Sequence, residues 1–368
     1  MDFLDLKTQY NTHREAINAR IGRVLESGHF ILGPEVEELE RTLASYTGSK
    51  HCLTVASGTV SLEIALRAMG VGPGDEVVTV PFTWISTAEV VCLVGAKPVF
   101  VDIEPGTFNM NPELLEGVIT PRTKAILPVS LFGQMPDLER IAAVVEGRGI
   151  PVLEDAAQSF GATRNGRKSC AATKVGSTSF YPSKPLGCYG DGGALFTDDD
   201  GLATAMRAIR THGGLVRHQH DWIGMNGRFD TLQAAIMLAK WPTFEEETAT
   251  RSRLGARYSE LLNGACVTPE VAPGNTHVYA QYTVRVPERD TVAGRLRELG
   301  VPTAVYYPKC LHEMRVFSNL GYGPGDFPES ERAAREVLSL PLHPFLSEWD
   351  QDLAASRLRE VLGRGPGR

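Results

Sequence analysis

Glu76-Val77-Val78-Thr79-Val80, Pro98-Val99-Phe100-Val101, Ala125-Ile126-Leu127-Pro128-Val129 and Pro151-Val152-Leu153 are four short apolar runs without polar alternation. A strand with one wet face alternates apolar and polar residues, and a strand covered on both faces does not. The runs therefore predict a mainly parallel sheet flanked by helices in an α/β domain. Ligands of such sheets gather at the carboxyl ends of the strands, where Asp102, Asp155 and Pro81-Phe82-Thr83-Trp84 fall. Further on, the apolar helical run 231–239 is cut off by Trp241-Pro242, because proline lacks the N–H a helix needs. Beyond it a charged helix over about 244–262, an apolar run 282–286, a helix near 290–299 and a run 303–307 make an α+β pattern. These runs predict a large domain over 1–240 and a smaller C-terminal domain over 241–368. The segment 1–25 is grouped with the large domain, with packing elsewhere as the alternative, and the tail 363–368 is expected to be disordered.

Composition narrows the class. A chain of 368 residues exceeds one ordinary core, and 42% apolar with 22% charged residues is the balance of a globular protein. Its formal charge of -7 lacks the basic footprint of a nucleic-acid binder. No run approaches the roughly 20 apolar residues that cross a bilayer, and Met1-Asp2-Phe3-Leu4-Asp5-Leu6 has neither part of an export signal. A cytoplasmic protein without membrane or nucleic-acid partners is expected. Six cysteines without a Cys-x-x-Cys pair suit reduced thiols. His218-Gln219-His220-Asp221 lacks a third and fourth ligand at a familiar spacing, so it reads as a solvated loop and no metal site is expected.

The chemistry centres on Lys184, in Ser179-Phe180-Tyr181-Pro182-Ser183-Lys184-Pro185-Leu186-Gly187, followed by Gly190-Asp191-Gly192-Gly193. The aromatic run reads as a short strand that stops at Pro182. A lone amine then follows on a glycine-rich loop, where backbone can approach a ligand closely. Lysine is ordinarily a solvated charge; the residues upstream set this one apart. Ser57-Gly58-Thr59 precedes an amphipathic helix, whose free amides and macrodipole would cradle a phosphate, although Ser and Thr also serve as plain caps. Asp155 ends a strand, where a carboxylate can pair with the protonated ring nitrogen of pyridoxal phosphate or simply cap a helix. Gln158, one helical turn on, could reach the ring's phenolate oxygen. Trp84 offers a flat face to stack on a ring, or a core side chain. Each feature has an ordinary explanation alone, but a phosphate cradle, an aromatic, Asp with Gln, then Ser179 and Lys184 suit one cofactor in order.

At this point the chain resembles the fold-type I pyridoxal-phosphate sugar aminotransferases of the DegT family. The likeness rests on Phe30-Ile31-Leu32-Gly33-Pro34-Glu35-Val36, Ser57-Gly58-Thr59, Gly72-Pro73-Gly74-Asp75-Glu76-Val77, Thr120-Pro121-Arg122-Thr123-Lys124-Ala125-Ile126, Glu154-Asp155-Ala156-Ala157-Gln158 and Asn226-Gly227-Arg228. It implies that Lys184 bonds the cofactor's aldehyde carbon, with Asp155 on the ring nitrogen, Gln158 on the phenolate and Trp84 against the ring. Gly58, Thr59 and Ser179 would hold the phosphate, and Asn226 would reach the phosphate of a second subunit, making a homodimer with shared active sites the working unit. An amino group would pass from L-glutamate to the cofactor and then to a nucleotide-linked keto sugar, with ping-pong kinetics.

Within the family, Ser169-Cys170, the segment 182–193 and Ala280-Gln281-Tyr282-Thr283-Val284-Arg285 look most like the subgroup that aminates UDP-2-acetamido-2-deoxy-3-oxo-glucuronate for bacterial surface polysaccharide. Arg228 is the forked cation for a uronate carboxylate, or else fixes the dimer interface. The chain departs from the subgroup twice: Asn226-Gly227-Arg228 stands for Asn-Ser-Arg, and Tyr306-Tyr307-Pro308 for His-Tyr-Pro. Tyr306 and Tyr307 are thus candidate substrate contacts. The rival readings are an aminotransferase for a 4-keto hexose or cyclitol in antibiotic biosynthesis and a non-catalytic regulatory protein of the same fold. The family's dehydratases replace the lysine by histidine, and this chain keeps Lys184.

Overall fold

The structure, a computed structural model, describes residues 1–363, so the expectation for the tail lies, past Gly363, outside the described residues. Its main sheet contains β1 (His51–Val55), β2 (Glu76–Thr79), β3 (Lys97–Phe100), β4 (Thr123–Ile126), β5 (Leu153–Asp155), β6 (Val175–Ser179) and β7 (Gly193–Thr197). β2 pairs in parallel with β3 and β4, and β5 in parallel with β6. The two groups join through parallel bridges, Ile126 with Val152 and Val129 with Asp155. Pro128 interrupts the ladder there, having no N–H to donate, while its carbonyl accepts the Asp155 N–H at 2.9 Å. β7 runs antiparallel to both β6 and β1. The order is therefore β3-β2-β4-β5-β6-β7-β1, and every strand except β7 points the same way.

The unalternated runs are explained by two cores. Val77, Ala125, Leu127, Leu153 and Val175 face one apolar cluster, while Val78, Ile126 and Val152 face another on the opposite side. Adjacent strand residues point to opposite faces, so burial on both sides requires apolar residues at both. The helices that matter for the site are α1 (Leu6–Ser27), α2 (Gly58–Ala68), α3 (Ser86–Leu93), α4 (Thr231–Lys240) and α5 (Phe244–Leu261). α1 lies on α4, with Ile17 against Ile236 and Ala239.

Leu254 and Tyr258 of α5, the antiparallel pair β8 (Tyr282–Arg285) and β9 (Val337–Leu340), and the helices Arg289–Glu298 and Glu348–Val361 share a core of their own. The run 303–307 is not the strand its residues suggest. It makes one bridge, Ala304 to Ser339, and β9 takes the place beside β8. Pro302 and Pro308 flank it without N–H groups, and Val305, Tyr306 and Tyr307 pack on the main core instead. Asp102, placed by its strand end among potential ligands, serves the fold. It accepts the Glu329 and Ser330 amides at 2.9 Å each and the Ser330 hydroxyl at 2.6 Å, capping the helix Pro328–Glu336.

Candidate active site

The carboxyl ends of β1, β2, β5 and β6 lie along one edge of the sheet. β1 passes through Ser57 into α2, and the Ser57 hydroxyl accepts the Val60 N–H at 3.1 Å, so Ser57 is the N-cap. The amides of Gly58 and Thr59 stand in the first turn, where no intrahelical carbonyl can reach them. Gly58 lies directly against the end of β6: a Cβ built on it would stand 2.7 Å from Ser179 Cβ and 3.2 Å from Ser179 Oγ. Any side chain at residue 58 would fill the space between the helix N-terminus and the Ser179 hydroxyl. Thr59 Oγ1 bonds Ser86 Oγ at 2.8 Å, joining α2 to α3.

Asp155 is 5% exposed. Its carboxylate accepts the Thr87 hydroxyl at 2.9 Å and the Ala157 N–H at 3.2 Å. Burial raises its pKa; those two bonds and the nearby charge of Lys184 act in the opposite direction. The helix expected after Asp155 does not form, and residues 157–161 are successive turns, so Asp155 caps no helix. The turns still deliver Gln158 to the same place. Its Oε1 accepts the Phe132 N–H at 2.7 Å and its Nε2 donates to the Tyr307 hydroxyl at 3.1 Å, leaving one N–H of the amide for a further acceptor. Glu154 points away from this edge and bonds Ser130, Ser169 and the Cys170 amide.

Trp84 is not a core residue. It is 59% exposed, one turn before Thr87, with its ring 6.0 Å from that of Tyr307. One short segment at the start of α3 thus supplies an open aromatic face, Ser86 for Thr59 and Thr87 for Asp155. Lys184 follows β6, which ends at Ser179 rather than running on through the aromatic pair; Phe180 is buried in the core. The Lys184 side chain is half-buried and its amide donates to the Tyr181 carbonyl at 2.8 Å. Burial lowers its pKa, and the Asp155 charge opposes that shift. The glycines around it serve the protein's own packing. Added Cβ atoms would meet Pro182 O at 2.6 Å from Gly187, a Phe229 ring carbon at 2.6 Å from Gly192 and Ser57 O at 2.6 Å from Gly193.

Tyr307 is brought into this group by Gln158, and burial together with the Asp155 charge pushes its pKa up. Tyr306 stacks obliquely on Phe3, ring centroids 6.4 Å apart, and burial raises its pKa as well. Asn226 and Arg228 flank Gly227, whose carbonyl accepts the Ala56 amide at 3.0 Å just before α2: Asn226 is exposed and bridges to Thr211, and Arg228 is half-buried with its Nε sealed from solvent and unpaired among the described residues. The loop before them, 212–223, exposes Leu215, Val216, Trp222 and Ile223, the last at 85%. His218 and His220 are exposed there too. Thr87 and Ser86 escaped the sequence reading; their signal was two hydroxyls just past an aromatic at a strand end.

The residues fit pyridoxal phosphate. A side-chain-free cradle at a helix N-terminus suits its phosphate, an open indole its ring face, a buried carboxylate that accepts two hydrogen bonds its protonated nitrogen, and an amine with a lowered pKa its aldehyde. A mainly parallel sheet with this set along its carboxyl edge is that of a fold-type I pyridoxal-phosphate aminotransferase. The model of the DegT/DnrJ/EryC1/StrS aminotransferase family matches residues 11–359, and the chain belongs to that family. A curated relative, the UDP-2-acetamido-2-deoxy-3-oxo-D-glucuronate aminotransferase of Pseudomonas aeruginosa, is 52% identical over 347 residues, 94% of this chain and 96% of its own. Among solved structures, a DegT DnrJ EryC1 StrS aminotransferase from Brucella abortus superimposes with a TM-score of 0.96 at 43% identity, covering 99% of this chain and 100% of its own. NtdA from Bacillus subtilis, solved with bound cofactor PMP, has a TM-score of 0.90 at 32% identity, covering 96% and 83%.

Proposed function

We propose that this aminotransferase moves an amino group from L-glutamate to the 3-keto position of a UDP-linked N-acetylglucuronate-type sugar, in the making of a bacterial surface polysaccharide. The observation that carries this reading is the 52% identity, over nearly the full length of both chains, to the P. aeruginosa enzyme whose name states that substrate. Pyridoxal phosphate, when bound, supplies an aldehyde carbon and an electron-withdrawing ring.

The side chains divide the remaining work. Lys184, with its pKa lowered by burial, holds more of the free amine at neutral pH than an exposed lysine would, and moves a proton to and from the reacting carbon. Asp155, held by Thr87 and Ala157, keeps a negative charge for the ring nitrogen. Gly58, Thr59 and Ser179 hold the phosphate; Trp84 covers the ring and Gln158 bonds its oxygen. Arg228, a half-buried forked cation, meets the uronate carboxylate, and Tyr306 and Tyr307 line the sugar's approach. Asn226 reaches a neighbour's cofactor phosphate in a homodimer, a reading supported by its exposure and by the apolar loop beside it. No helix among the described residues is long and apolar enough to cross a membrane. Action in the cytoplasm agrees with six unpaired cysteines. A division into a cofactor domain over 1–240 and a smaller domain over 241–368 agrees with the separate core around β8 and β9.

The test is to load the protein with pyridoxamine phosphate and offer it a panel of nucleotide keto sugars. Return of the visible absorption of the aldehyde form fastest with the UDP-3-keto uronate is expected. Preference for a 4-keto hexose or a cyclitol ketone would overturn the substrate assignment.

A further inference from the structure

Lys240 is the last residue of α4 and only 4% exposed. Its Nζ donates to the Gly187 carbonyl and stands 5.1 Å from the centroid of the Tyr189 ring. Both partners belong to the loop that carries Lys184. From the same helix, Gln233 accepts the Tyr189 N–H at 2.9 Å. Gly187 in turn folds onto the start of that loop so closely that a Cβ would meet Pro182 O at 2.6 Å and Tyr181 O at 2.8 Å. Holding the Gly187 carbonyl therefore fixes the loop on both sides of Lys184.

The ammonium is costly to keep there. A helix C-terminus favours a cation, but burial dominates and pulls the Lys240 pKa down to about 8, against the charge of Glu247 and with that of Arg251. An apolar side chain of similar length would avoid that desolvation, and replacing buried charges by apolar groups is often neutral or stabilising. What an apolar side chain could not do is donate to Gly187. We infer that Lys240 is a positioning residue for Lys184: its buried ammonium ties the Gly187 carbonyl and the Tyr189 ring to α4 and so holds the loop that presents the reactive amine. The inference rests on Lys184 being the reactive amine of the proposed function. The group that moves protons must keep its amine within reach of two reacting atoms, and a displacement of about 1 Å can cost about a hundredfold in rate.

The experiment compares the full-length holoenzyme with Lys240→Met. Hydrogen exchange of the amides in 181–190, which include Lys184 bonded to Tyr181 and Cys188 bonded to Phe180, should lose about tenfold or more of its protection while the β1–α2 segment keeps its own. The kcat of the glutamate half-reaction should fall about 10- to 100-fold with KM moving less than about threefold. The melting temperature should change little, because relief of desolvation offsets the lost bond. A merely structural lysine would lower the melting temperature and leave kcat per folded molecule intact, which would overturn the proposal. So would loop protection and kcat within about twofold of the native values. Lys240→Gln, which keeps a neutral donor, carries the same test if the methionine variant does not fold, with intermediate losses expected. Should Lys184→Ala retain the native transamination rate, the assignment of Lys184 fails, while the exchange measurement still reports whether Lys240 holds the loop.

Discussion

Thr87→Val removes one hydroxyl and little else. Thr87 is 1% exposed, valine has nearly its shape, and the lost oxygen is the donor to Asp155 Oδ2 at 2.9 Å. Thr83 stands behind it, its Oγ1 3.3 Å from that of Thr87. An ionised carboxylate only accepts, so Thr87 donates to Asp155 and Thr83 donates to Thr87. A hydrogen bond to a charged group contributes about 1.5–3 kcal/mol. At about 1.4 kcal/mol per pKa unit, Asp155 should rise by about one to two units beyond its already raised value. Cofactor affinity should fall with it wherever the pH lies below the raised pKa, by up to about tenfold for each unit of the shift, because only the ionised carboxylate pairs with the ring nitrogen. The assay is an absorbance titration of apoprotein with pyridoxal phosphate, followed by kcat/KM for glutamate against pH. Because a raised pKa means Asp155 takes up its proton at higher pH, the acid limb of the variant should move upward by about one to two units. Thr83→Val, losing only the longer bond behind, should cost less than about 1 kcal/mol. Affinity within about twofold of the native value, with an unmoved acid limb, would show that Thr87 does not sustain the charge on Asp155.

Two further outcomes follow from other residues. Arg228→Ala should lower kcat/KM for a uronate substrate by about 10- to 100-fold more than for a neutral hexose analogue, the difference expected of a charge-assisted bond; equal losses on both would remove the carboxylate role. His277 is 4% exposed and burial holds its pKa near about 3, against an unfolded value of about 6.5. Between those values the unfolded chain binds a proton that the folded chain refuses, so stability falls as pH drops from about 6.5 towards 3, by about 5 kcal/mol at most. His277→Asn, which keeps an acceptor for the Tyr279 amide now bonded by Nδ1 at 2.9 Å, should flatten that slope by about one proton in urea unfolding between pH 6.5 and 4. Identical slopes would show that His277 is not the group responsible.

The parallel sheet was legible because two-sided burial removes the polar–apolar alternation of a half-wet strand, and Val77 and Val78 show this by facing opposite cores. The shared edge of Ser57, Trp84, Asp155 and Ser179 was legible because each stands at or shortly after a strand end, where parallel strands bring distant segments together. What did not read through was whatever depends on a partner far away in sequence. Thr87 looks like any hydroxyl in a helix until β5 is seen to bring Asp155 beneath it. Asp102 has the same strand-end address as Asp155, and only the approach of Glu329 and Ser330 turns it into a cap. The run 303–307 has good strand residues, yet prolines on either side and a better partner in β9 deny it a ladder. The glycines after Lys184 suggested room for a ligand, whereas their missing side chains make room for Pro182, Phe229 and Ser57.

The chain's two departures from the uronate-aminating subgroup carry unequal weight. Gly227 donates to the Arg210 carbonyl and accepts from the Ala56 amide, each at 3.0 Å, and a Cβ there would come within 3.1 Å of methyls on both Val60 and Ile64 of α2. The subgroup's serine at this position would press on α2, the helix proposed to hold the phosphate at its N-terminus, so the substitution concerns how α2 is packed and says little about the sugar. Tyr306 is different in kind. It precedes Tyr307, the residue bonded to Gln158, and its half-buried phenol replaces a side chain that can carry a positive charge near neutral pH with one that is neutral there. If the imidazole of the subgroup helps to receive a carboxylate, that share of the binding falls here on Arg228. The loss on Arg228→Ala should then be larger in this enzyme than in a relative that retains the histidine, and restoring Tyr306→His should soften it; no softening would free Tyr306 from any part in carboxylate recognition.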